Sequence, residues 1–90
     1  MAIAVYFNPE AMTAGQYDQT MAALDAAGAG SPAGRIHHSS FGEPDHLMVY
    51  DIWESAEAFA TFGETLGPIM AQLGVDPGEP SIMPLHNYIN

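Results

Sequence analysis

Between Ala2 and Asn8 the side chains alternate, with Ile3, Val5 and Phe7 on one face and Ala4, Tyr6 and Asn8 on the other. Apolar or aromatic character on both faces predicts a central strand covered on both sides. Pro9 ends it, because proline cannot donate to a ladder. The period then changes. Tyr17, Met21 and Leu24 recur at helical spacing behind Thr13, which with Gln16 fits a capping box, and Met12 and Tyr17 stand at the spacing of a hydrophobic staple. Alanines fill the rest of this helix and Gly28 stops it. Ala29 to Gly34 reads as a flexible connector.

Arg35 to Phe41 predicts a second strand, Gly42 to Asp45 a turn, and His46 to Trp53 a third strand, which together make an antiparallel hairpin. In the third strand Leu47, Val49, Asp51 and Trp53 share one face; Met48, Tyr50 and Ile52 share the other. Ser55 then caps a second helix, with Glu57 in its first turn. Its apolar face runs through Phe59, Phe62, Leu66, Ile69 and Leu73. Gly63, Gly67 and Pro68 are expected to weaken or kink it midway, and Gly74 to end it. Ser81 to Ile89 predicts a last strand, confined to a sheet edge by Pro84. The order strand, helix, strand, strand, helix, strand, with right-handed crossovers, predicts one ferredoxin-like α+β domain over residues 1–90: a four-stranded antiparallel sheet with both helices on one face. The other face then carries Met48, Tyr50, Ile52 and either Ile3, Val5 and Phe7 or Tyr6, with nothing to cover them. Face-to-face packing of two sheets in a homodimer, with the edge strand as part of the contact, would bury them.

Composition sharpens this picture. A chain of 90 residues has a small core, yet 48% of its residues are hydrophobic and only 13% charged, which again points to self-association. There is no cysteine and no metal-ligand spacing. Eleven acidic residues stand against one basic residue, Arg35, for a net charge of −10. Phosphate neutralisation is therefore missing, which argues against nucleic acid and anionic membranes as partners. Anionic ligands would have to be held by Arg35, histidines or backbone amides. No apolar run reaches the ~20 residues of a membrane helix, and the N-terminus lacks the basic region of a signal peptide, so the expected location is the cytoplasm.

The run Asp51-Ile52-Trp53-Glu54-Ser55-Ala56-Glu57-Ala58-Phe59 with Phe62, and the strand end Val5-Tyr6-Phe7-Asn8, resemble the dimeric α/β-barrel superfamily, in particular small proteins of the antibiotic-biosynthesis-monooxygenase type. The resemblance implies a cofactor-independent monooxygenase, or a related isomerase, acting on a small aromatic or polycyclic ligand between sheet and helices. It also implies that Asn8 and Trp53 line that pocket. A haem-degrading branch uses a histidine on the second helix, and this helix has none, so haem is disfavoured. The alternative is a non-catalytic ligand-binding or interaction protein of the same fold.

The candidate site residues each have a plainer reading. Trp53, the only tryptophan, is a core anchor against Phe59 and Phe62, a pocket wall, or both. Asn8 serves turn chemistry, or polarises a carbonyl or dioxygen. His37 and His38 are adjacent in a strand and point to opposite faces, so they cannot share a metal. If Phe41 pairs with His46, His38 falls opposite Val49 and shares the face of Asp51 and Trp53; a one-residue slip brings His37 there instead. The resulting imidazole, carboxylate and indole fit general acid/base work on an acidic phenol or enol. The plainer reading is a surface or inter-subunit histidine. Asn8, Trp53 and His38 are thus the expected catalytic set, and Tyr6, Asp51, Phe59, Phe62 and His86 the expected pocket lining, with no metal.

Overall fold

The computed structural model describes residues 1–90. Six elements follow one another: β1 (Ile3–Phe7), α1 (Ala14–Ala26), β2 (Arg35–Glu43), β3 (His46–Trp53), α2 (Ala56–Leu73) and β4 (Ser81–Pro84). The sheet order is β2-β3-β1-β4 and all three pairings are antiparallel. The expected ferredoxin-like fold is therefore present. Its core lies on one face of the sheet, where Ile3, Val5, Phe7, Leu47, Val49 and Trp53 meet Leu24 of α1 and Phe62 and Met70 of α2.

Local chemistry sets the helix ends. Gln16 N–H donates to Thr13 Oγ1 at 3.1 Å, and Thr13 N–H donates to Gln16 Oε1 at 3.0 Å, closing the capping box. Ser55 Oγ accepts from Ala58 N–H, and α2 ends at Gly74 with φ 71°. The helix runs unbroken through Pro68. The carbonyl that proline leaves free belongs to Glu64, an exposed residue, so water can satisfy it. The buried stripe of α2 turns toward Met70, while Leu73 is exposed.

Two strand ends and the hairpin register differ from expectation. β2 extends through Glu43, so the hairpin loop shrinks to Pro44 and Asp45. Gly42, at φ 117°, makes this possible, since a Cβ there would lie 2.6 Å from the His46 carbonyl oxygen. The register is two residues tighter than the sequence suggested: Phe41 faces Met48, and His38 faces Asp51 instead of Val49. A shift of two preserves the face, so His38 still looks toward the helices.

The last strand stops at Pro84 rather than Ile89. Leu85 N–H still donates to the Ala2 carbonyl at 3.0 Å, but beyond it the chain crosses the far face of the sheet. The Tyr88 ring comes to 5.8 Å from the ring of His37, on the opposite edge strand. This explains why Ile52, on the face away from the helices and outside the main core cluster, is only 1% exposed. The rest of that face keeps apolar surface open: Phe41 and Met83 are exposed, and Tyr6, Met48 and Tyr50 are half-buried.

Candidate active site

A β-bulge in β2 determines which side chains reach the helix-covered face. The ladder slips between Arg35 and His37, leaving Ile36 without a partner. Arg35 pairs with Trp53 and His38 pairs with Asp51. Residues three apart in a regular strand point to opposite faces; the bulge brings Arg35 and His38 to the same one. Gly34, at φ 87°, leads into this turn, with its carbonyl accepting from Glu54 N–H at 2.8 Å. A Cβ at Gly34 would lie 2.6 Å from Ala58 Cβ, so only glycine lets the chain pass α2 this closely.

His38 is the centre of a four-residue hydrogen-bonded chain. Its Nδ1 lies 2.6 Å from Asp51 Oδ1, and its Nε2 lies 2.6 Å from the Tyr17 hydroxyl on α1. Trp53 Nε1–H donates to the other Asp51 oxygen, at 3.2 Å. An ionised carboxylate at Asp51 can only accept, at both oxygens. Nδ1 of His38 must then carry a proton, which in the neutral ring leaves Nε2 to accept from the Tyr17 O–H. The rings of Tyr17 and His38 are nearly parallel, 5° apart. Burial increases along the chain: the His38 side chain is 19% exposed, that of Asp51 5%, and Trp53 is wholly enclosed. No buried side-chain nitrogen or oxygen lacks a partner.

Tyr17, His38 and Asp51 open onto a cavity of ≈ 50 Å³ between the sheet and the two helices. Its wall is otherwise mainly apolar, with Phe7, Met12, Met21, Leu66 and Met70, and Arg35 is part of it. The space suits a few ordered waters and lies far below the ~300–1,000 Å³ that encloses a drug-sized ligand. Three of its wall residues are methionines, which repack readily.

Of the residues expected from the sequence, His38, Asp51 and Phe62 line this cavity. Trp53 stands behind it, packed on Phe59 and Phe62 at centroid distances of 5.7 and 5.2 Å. Phe59 lies between Phe7 and Trp53 and lines a neighbouring groove beside the 75–80 segment. Four residues fall elsewhere. Tyr6 is on the far face of the sheet, stacked on Phe41 at 6.4 Å, because strand alternation opposes it to Val5 and Phe7. Asn8 is exposed past the strand end, its Oδ1 3.2 Å from His46 Nε2. His86 is exposed on the tail, which has left the sheet at Pro84. His37 is on the far face, between Tyr50 and Tyr88.

Two cavity residues were not legible as such. Tyr17 reads as one member of an apolar helical stripe, and only its pairing with a histidine on the facing strand distinguishes it from packing. Arg35 is hidden by the bulge, which has no clear signature in the sequence.

The fold recurs in several solved structures. A candidate antibiotic biosynthesis monooxygenase from Chloroflexus aurantiacus superposes with a TM-score of 0.64 at 18% identity, over 98% of this chain and 97% of that one. SnoaB, a cofactor-independent oxygenase from Streptomyces nogalater, gives 0.64 at 15% identity, over 98% and 94%. A conserved protein from Methanosarcina mazei gives 0.64 at 16% identity, over 92% and 91%. No family model and no curated protein matches the sequence. No helix is long and apolar enough to cross a membrane.

Proposed function

We propose that this protein is a cofactor-independent oxygenase acting on a compact aromatic or enolisable substrate in the Tyr17–His38–Asp51 cavity. The observation that carries the reading is the relay itself: a carboxylate, an imidazole and a phenol in line, ending in an apolar cavity. The substrate gives a proton to the Tyr17 oxygen as the Tyr17 proton passes to His38 Nε2, and Asp51 stabilises the imidazolium that forms. The resulting carbanion reduces dioxygen, which is the co-reactant. One oxygen atom stays as a new carbonyl and the other leaves as water, so that CH₂ + O₂ becomes C=O + H₂O. The apolar wall keeps the anion away from bulk water. Trp53 acts through Asp51 as a positioning residue. The fold shared with SnoaB supports the same class of reaction, and the cavity size favours a compact ligand over a polycyclic one. The test is aerobic incubation with monocyclic quinol- and enol-type compounds, following oxygen uptake. Consumption above the buffer rate is expected, and none across such a panel would sink the oxygenase reading.

The reading includes a second copy of the chain on the open sheet face. Phe41 and Met83 are exposed there beside Tyr6 and Tyr50, a patch that is costly to leave in water. Light scattering at micromolar concentration should give twice the chain mass. A strictly monomeric mass would contradict this part of the proposal.

A further inference from the structure

Arg35 is the only lysine or arginine in a chain of net charge −10, and it lies in the wall of the cavity beside His38. In such a protein an arginine has many carboxylates to choose from, yet it pairs with none. The one ion pair within 4 Å in the molecule is His38–Asp51. Asp51, the carboxylate that shares the cavity, already has an N–H on each oxygen, from His38 and Trp53. Arg35 uses one amino group to donate to the Gly30 carbonyl at 3.2 Å and holds its guanidinium 6.0 Å from the Phe62 ring centroid. Stacking and one backbone contact fix the side chain and leave most of its five N–H donors unused.

Its position is also built. A regular strand would send Arg35 to the far face; the bulge at Ile36 turns it inward, and leaves Ile36, a large apolar side chain, 48% exposed. Burying Ile36 on a regular strand would be the better outcome for stability alone. The arrangement makes sense if the site needs a fixed cation three residues from the base.

We infer that Arg35 is the anion-binding group of the cavity, and that the ligand carries an acidic oxygen, as a carboxylate, phenolate or enolate, bound against the guanidinium. This rests on the relay acting on a ligand in the cavity and not on the reaction with dioxygen. The charges close on themselves. Before proton transfer the site holds Arg35⁺ and Asp51⁻; afterwards it holds Arg35⁺ with the ligand oxyanion and His38⁺ with Asp51⁻. A phenol or enol thus enters neutral and leaves its proton and its charge at two different residues, whereas a carboxylate such as benzoate arrives already ionised and takes the place of that oxyanion.

Benzoate and its neutral isostere benzamide probe this directly by calorimetric titration. The protein should bind benzoate at least about tenfold more tightly than benzamide. Arg35→Gln should abolish that preference by weakening benzoate far more than benzamide, and Arg35→Lys should retain part of it. A second measurement needs no variant. Phenylglyoxal reacts with arginine, and this chain has only one; benzoate should slow the modification of Arg35, followed by mass spectrometry, and benzamide should not. Equal affinity for the two probes, a preference that survives Arg35→Gln, or no protection by benzoate would each overturn the inference. These ratios are independent of oxygen uptake, so an absence of turnover leaves them standing.

Discussion

Replacing His38 by Gln is expected to lower kcat/KM on an enolisable substrate by about 10²–10⁴-fold, the usual contribution of a positioned general base. Gln can still bond Tyr17 or Asp51, so the hydrogen-bonded chain is largely kept, but it cannot take a proton. The fold should survive, because the His38 side chain lies toward the mouth of the cavity at 19% exposure and belongs to no core cluster. A far-UV circular dichroism spectrum and thermal melt close to those of the parent would establish that. Tyr17→Phe removes only the outer hydroxyl, and should lower the rate less if a substrate oxygen can reach His38 Nε2 directly. A His38→Gln protein that is folded and as active as the parent would show that the relay is a structural network with no part in the chemistry.

The outline of this site could be read from the sequence because strand alternation is strict. Leu47, Val49, Asp51 and Trp53 fall on one face at a period of two, and any even register keeps His38 opposite them. That is why an error of two residues in the hairpin did not change which histidine faces the helices. The tighter turn depends on the φ of Gly42, a property of the folded backbone. The bulge at Ile36 is harder still. Arg35, Ile36, His37 and His38 look like any four strand residues, and the close passage of Gly34 by Glu54 and Ala58, just before the slip, is a contact between segments distant in the chain. Tyr17 is a different case. Its spacing is that of a core residue, and its hydroxyl gains a partner only when α1 packs over β2 and β3. Long-range geometry, absent from local patterns, decided both residues that complete the site. The departure of the tail at Pro84 likewise follows from competition. Proline removes a ladder donor, and the apolar face beyond, with His37 and Tyr50, gives Tyr88 somewhere to pack.

Trp53→Ala should cost about 3–5 kcal/mol, as large aromatic truncations in a core do. Trp53 is wholly buried, touches Phe59 and Phe62, and is the only donor to Asp51 Oδ2. Truncation thus opens a cavity and strips a partner from a buried carboxylate at once. For a domain of this size the total stability is of order 5–13 kcal/mol, so the loss takes about a fifth of it at the least. The lone tryptophan disappears with the change, so urea unfolding has to be followed by circular dichroism at 222 nm. Trp53→Phe separates the two terms. It fills most of the space but has no N–H, and should cost about 1–3 kcal/mol, the penalty of one unsatisfied buried acceptor. Because Asp51 orients His38, the Phe variant should also lose activity at substrate saturation with little change in KM, the signature of a group that acts through another. If Trp53→Ala unfolds at the parental urea midpoint, the indole is no core anchor. If Trp53→Phe destabilises the protein but leaves kcat unchanged, Trp53 supports the fold alone, and the bond it makes to Asp51 has no catalytic consequence.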